Sequence, residues 1–280
     1  MEVVDFGKKI NTMIDKVFDM SIGNTQTAWT KYYDEVDKII NENIDEINND
    51  TVDWTVKEWE DFFHYENESG DPALYKFAAL KLEELSGGEF FKKCIKDNSP
   101  VLVNNVYYTS DNTVLKRSDI LSSAVKICNR IEKKDVKDEI FEAYKLCDPV
   151  NEHILYDLAE YIAKFCKDEI PGIILDEGVY GDKLIAILSL CIETNQKSDE
   201  IYAAMKTRFK NTPDDDENKD LFVAMFGDYG EPNAIAMIRK YAKKLIENYT
   251  ATGDRERFTR IMMVASVIEG LGGRTDDIMP

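Results

Sequence analysis

Apolar side chains recur at steps of three and four along most of the chain, the period of a helix with one buried face. Val4, Ile10, Ile14, Val17 and Phe18 share one side and predict a helix over 3–20. Gly23-Asn24 interrupts the pattern, and Trp29, Tyr32, Val36, Ile40, Ile44 and Ile47 carry it on over 26–47. Thr55 to Glu58 fits a capping box, in which hydroxyl and carboxylate each satisfy a free helix-end amide. Asp71-Pro72 then opens a helix with Leu74, Phe77, Ala78, Leu82 and Leu85 on its apolar face, and Ser86-Gly87-Gly88 closes it. Between Ser99 and Leu115 the pattern changes. Val101-Leu102-Val103 and Val106-Tyr107-Tyr108 are β-formers flanking Asn104-Asn105, which predicts an irregular insertion or a short β-hairpin. From Ser118 onward the helical period returns and predicts helices near 118–132, 136–147, 150–166, 181–194, 198–210, 217–228, 231–249 and 255–270. In the last, Phe258, Ile261, Met262, Val264, Ile268 and Leu271 spread over more than one side, which predicts a largely buried helix.

Part of this pattern occurs twice. Glu139-Ile140-Phe141-Glu142-Ala143 is matched by Asp220-Leu221-Phe222-Val223-Ala224. Each copy reaches an acid before a proline, Asp148-Pro149 and Glu231-Pro232. Beyond those turns Ile154, Leu155, Leu158, Tyr161, Ile162 and Phe165 fall in the same order as Ala234, Ile235, Ile238, Tyr241, Ala242 and Leu245. The offset is about 80 residues, roughly two units of 40–47. Three helix pairs follow, 136–166, 181–210 and 217–249, with starts about 40 residues apart.

The paired patterns, with acid-proline turns at Asp71-Pro72, Asp148-Pro149 and Glu231-Pro232, resemble the HEAT-like, armadillo-type group of α-superhelices. The resemblance covers residues 118–271 and extends only loosely over 1–117. It implies an all-α solenoid, with 1–117 an acidic part that continues or caps it and 118–280 forming the repeats. It also implies a scaffold that binds another protein on a concave face lined by one helix of each pair. No catalytic residues carry over from it. Some HEAT-like proteins are DNA glycosylases that use a cationic groove with aromatic residues.

Charge argues against that last use. The 280 residues carry a formal net charge of −19, which repels phosphate backbones. Residues 1–70, which hold all three tryptophans (Trp29, Trp54 and Trp59), have 17 acids against 6 bases. Trp54, Trp59, Phe62, Phe63 and Tyr65 form an aromatic cluster that reads as core, with an interface hot spot as the alternative. Cys94, Cys128, Cys147, Cys166 and Cys191 are odd in number and far apart, which fits free thiols in a reduced compartment and leads to the cytoplasm as the expected location. No signal-peptide pattern and no apolar run long enough for a membrane span is present in this sequence.

Candidate chemistry is sparse. His64 and His153 have neither HExxH spacing nor a Cys/His cluster beside them. An EF-hand loop from Asp214 would need Gly and Glu where Lys219 and Met225 stand, so the acids from Asp214 to Glu217 read as the start of a helix. The glycine pairs fit helix ends rather than a phosphate-binding loop. No catalytic, metal-binding or cofactor-binding residue is therefore assigned, and no cofactor is expected. One basic series stands out: Arg239, Lys240, Lys243 and Lys244, followed by Arg255, Arg257 and Arg260. Its plain reading is a solvated face; its functional reading is a docking patch for an acidic protein segment. The expected function is a non-enzymatic protein-binding scaffold. An enzyme with an acidic groove site and a HEAT-like nucleic-acid binder are the alternatives. The charge predicts no measurable binding to generic duplex DNA at physiological salt; micromolar binding in a filter or anisotropy assay, falling steeply with added salt, would contradict it.

Overall fold

The computed structural model describes residues 1–15, 17, 26–69, 72–176, 181–216, 218–253 and 255–278, and among them fifteen α-helices and no strand. Contacts divide the chain into two compact units, Met1–Asp157 and Leu158–Pro280.

The first unit contains α1 (Val3–Ile14), α2 (Gln26–Glu42), α3 (Ile44–Asp50), α4 (Val56–Ser69), α5 (Pro72–Leu85), α6 (Phe90–Asn98), α7 (Asn112–Arg130) and α8 (Lys137–Leu146). The division between units falls inside α9 (Glu152–Phe165). The expected capping box forms at the start of α4: the Thr55 N–H donates to Glu58 Oε2 at 2.7 Å, and the Glu58 N–H donates back to Thr55 Oγ1 at 3.3 Å. It aims Trp59, Phe62 and Phe63 inward, and all three are buried. Phe6 of α1 meets the Trp54 and Phe62 rings edge-on at 4.9 and 5.0 Å, and Trp59 meets Phe77 at 5.7 Å. The aromatic cluster is thus core, apart from Tyr65, whose side chain lies outside the described residues with those of Phe18 and Trp29. Val4, expected inside, is 48% exposed because Phe6 occupies the inward position of its turn. Two elements went unforeseen. The long second helix breaks at Asn43, whose Nδ2 donates to the Ile39 carbonyl at 2.8 Å and draws off a helix acceptor. Helix α6 exists because Phe91, Cys94 and Ile95 bury one short stripe against α7 and α8.

The expected β-hairpin near 99–115 is not there. Ser99–Val103 and Val106–Tyr108 form 3₁₀ turns, and α7 already begins at Asn112. The β-formers are not paired with one another because Asn151 takes the place of a partner strand. This fully buried amide accepts from the Val106 N–H at 3.0 Å and donates to the carbonyls of Leu102 and Asn104 at 3.1 and 2.8 Å. The Asp148 N–H adds a bond to the Leu102 carbonyl at 2.8 Å.

In the second unit α10 (Ile170–Leu175), α11 (Leu184–Glu193), α12 (Asp199–Asn211), α13 (Asn218–Tyr229), α14 (Ile235–Thr252) and α15 (Arg255–Gly270) follow one another. The closest packing joins α10 to α12, α11 to α13 and α13 to α15, helices two apart in sequence, as well as consecutive α14 and α15. Gly227 lies inside α13 rather than at its end, and a Cβ there would meet Val267 Cγ1 at 3.1 Å, so its bare backbone lets α15 approach. Gly253, at φ +67°, ends α14 in the left-handed conformation that glycine tolerates best, and the chain turns into α15. That helix is more one-sided than expected: Ile261, Val264, Ala265 and Ile268 are buried, while Phe258 and Met262 are exposed.

The two acid-proline turns share one bonding pattern. Asp148 Oδ1 accepts from the Val150 N–H at 3.0 Å, and Glu231 Oε1 accepts from the Asn233 N–H at 3.1 Å. In each, the acid's own carbonyl accepts from the N–H three residues on, at 3.0 Å. Asp71-Pro72 lies at residues outside the description, Asp71 by backbone and Pro72 by side chain.

Asn151→Leu, similar in volume, would leave one N–H and one carbonyl of the 102–106 segment without these bonds and weaken a second carbonyl. It should destabilise the protein by on the order of 3 kcal/mol in urea denaturation, and Asn151→Asp, which can accept but not donate, should not restore the loss. A change below about 0.5 kcal/mol, the size of a neutral surface substitution, would show that the amide does not hold this segment.

Candidate functional site

Three helices and a loop of the second unit meet around a recess of about 220 Å³. Helix α12 brings Phe209 and Lys210 at its carboxy end. The following loop supplies Asp214, and Lys219 stands in the first turn of α13. Helix α14 contributes Met237, Lys240, Tyr241 and Lys244, whose spacing of three, four and seven places them on one face. The loop is held by Asp216, whose Oδ1 accepts from the Asn218 N–H at 2.9 Å and caps α13, as the acidic run predicts for one of its members. Asp214 does something else.

Lys219 is buried, with its Nζ 2.7 Å from Asp214 Oδ1 and 2.5 Å from the Thr212 carbonyl. The same ammonium lies 4.8 Å from the Phe209 ring centre and 5.6 Å from that of Tyr241, where the negative faces of the rings favour a cation. The other Asp214 oxygen, Oδ2, lies 2.5 Å from Lys244 Nζ. These bonds from Lys219 and then Lys244 pull the Asp214 carboxyl below its ordinary range. Behind this wall Tyr241 donates to Asp220 Oδ1 at 2.7 Å and accepts from Arg260 Nη2 at 2.7 Å. Arg260 Nε sits 2.5 Å from Asp220 Oδ2, a charge contact rather than an aligned hydrogen bond. Burial, then the bond to Asp220, pushes the Tyr241 hydroxyl well above its usual range. Its oxygen is therefore engaged and offers little to a ligand.

The predicted basic series divides between these surroundings. Lys240 and Lys244 line the recess, and Arg260 supports it from behind. Arg239 and Lys243 turn to the carboxy-terminal segment, where Asp277 lies 2.5 Å from Arg239 Nη1 and 3.9 Å from Lys243 Nζ. Arg239 also donates to the Arg274 carbonyl. The side chains of Arg255 and Arg257 lie outside the described residues. Lys210 and Lys219 were missed by the sequence reading. No periodic signal joins them to Lys240, since the loop from Thr212 to Asp216 folds them together. Lys210 and Lys240 are both exposed and have no acidic partner among the described residues.

A second recess, of about 160 Å³, has a mixed lining that includes Arg208, Thr212, Asp216 and Leu221. In the first unit Asp157 accepts from Ser122 at 2.7 Å and lies 3.4 Å from Lys126, and its carbonyl accepts from Asn129 at 3.1 Å. Burial raises its carboxyl against those partners, and its evident work is to tie α7 to the start of α9. All five cysteines are buried and none is in a disulfide, and burial lifts the Cys94 thiol to about 12 and that of Cys191 to about 11. Among the described residues no His, Cys, Asp and Glu set suits a metal ion, and no helix is long and apolar enough to cross a membrane. No protein-family model, curated protein or solved structure matches the chain.

Because Asp214 has a lowered pKa in the folded protein, its contribution to stability is present above the ordinary carboxylate pKa of about 3.9 and is lost as pH falls through the folded value. Asp214→Asn should therefore melt below the native protein at pH 7, with the gap closing as pH falls below about 4. An equal gap at both pH values would show that the carboxylate charge is not what Lys219 and Lys244 hold.

Proposed function

We propose that the protein is a non-enzymatic binding scaffold of stacked helical pairs in the HEAT manner, and that it takes an acidic segment of another protein at the lysine recess. The observation that carries this is a reversal of charge. In a chain of net −19, four lysines and one carboxylate line a single recess. A local positive potential on an acidic protein attracts an acidic segment while the rest of the surface repels other anions, which favours selective encounter. Lys210 and Lys240 are the cations left to a ligand, whereas Arg239 and Lys243 face Asp277. The packing of helices two apart in the second unit, and the matched bonding of the two acid-proline turns, support the repeat reading.

The docking half of this reading is tested with a short fluorescent oligo-glutamate peptide. The native protein should bind it at low ionic strength and release it as salt approaches physiological strength, where the Debye length falls to about 8 Å. The K210E/K240E double variant should bind at least about tenfold more weakly, a loss of about 1.4 kcal/mol, with a nearly unchanged melting temperature. Equal binding by the two proteins would sink the proposal.

A further inference from the structure

The lining of the recess asks for more negative charge than one carboxylate brings. Lys219 is already bonded to Thr212 and Asp214, and both Asp214 oxygens are occupied, one by Lys219 and the other by Lys244. That leaves Lys210, Lys240 and the remaining N–H groups of Lys244 around the opening. Four ammonium groups against one carboxylate give the lining a net charge of +3. Phe209, Met237 and Tyr241 add apolar surface to the same lining. A glutamate side chain would supply one negative charge and two acceptor oxygens. A phosphomonoester supplies about −1.5 to −2 and three acceptor oxygens to a lining that includes Lys210, Lys240 and Lys244. Lysine serves such a group as a point charge and needs no planar fork.

Resting on the reading of the recess as an acidic-segment site, we propose that it recognises a phosphorylated side chain within that segment. The favoured source is a phosphopeptide rather than a membrane. A lipid surface would bring a broad sheet of negative charge against an acidic protein, and the flanking cations Arg239 and Lys243 are already facing Asp277. Exposed Asp215 stands in the same loop as Asp214. A single side chain entering the recess meets the lysines without meeting that surrounding charge.

The test uses the full chain and three short acidic peptides that differ at one central position, carrying phosphoserine, glutamate or serine. The phosphopeptide should bind at least about tenfold more tightly than the glutamate peptide, as expected where a second charge adds charge-assisted hydrogen bonds. Inorganic phosphate should displace it. Its advantage should shrink as pH falls from about 7.5 to about 5.5, because the second phosphate pKa is about 6 and a glutamate peptide changes little over that range. K210Q/K240Q, which removes charge without reversing it, should abolish the difference between the peptides while leaving the melting temperature in place. If phosphoserine and glutamate peptides bind equally, this inference is wrong and the acidic-segment reading stands. If no peptide binds, both fall. Binding to vesicles that contain a phosphoinositide, with no binding of the phosphopeptide, would overturn the peptide assignment in favour of a lipid headgroup.

Discussion

Every helix leaves unpaired N–H groups at its start and unpaired carbonyls at its end, and at several turns of this chain a polar side chain satisfies them and fixes how the next element begins. Asp148 and Glu231 accept the N–H two residues on, across a proline that has none to offer. Ser198 accepts the Ile201 N–H at 3.0 Å to start α12, and Asp216 does the same work for α13. Where no regular element follows, Asn151 reaches into a strand-like sequence and meets its polar backbone atoms directly. At these starts the polar side chains help to place the helices so that their apolar faces meet.

The same logic builds the recess. The turn that Asp216 caps also carries Asp214, and Asp214 is thereby set between two lysines from different helices. The buried Lys219 head group meets a carboxylate, a carbonyl and two ring faces in place of the water it gives up. Its head group holds one oxygen of the Asp214 carboxylate, and Lys244 holds the other. An arrangement made for packing thus concentrates positive charge at one place in an acidic protein.

Some of this was legible in the sequence. The three/four period located α2, α4, α5 and, apart from the short α10, the helices from α8 onward, since burial of one stripe leaves a regular trace. The capping box at Thr55 and Glu58 was legible because it is local, as were the turns at Asp148-Pro149 and Glu231-Pro232. The 99–108 segment was misread as β because its composition favours strands, and the competing partner, Asn151, lies about 45 residues further on. The break at Asn43 and the whole of α6 left signals too short to separate from their surroundings. Of the basic series, the sequence correctly marked Lys240 and Lys244 as neighbours on one helix face, but Lys210 and Lys219 join them only through folding.

By itself, then, the sequence determined the helical class, most helix positions, the duplicated turns and the excess of negative charge. These depend on residue type and on spacings of a few positions. The tertiary structure alone decided which cations face acids and which line the recess. Arg239 and Lys243 meet Asp277, Lys244 and Lys219 share Asp214, and Lys240 meets none of them. Charge interactions act across space and fall off over a few ångströms in a protein's surroundings, so their partners are set by where the chain returns. Periodicity holds no record of that.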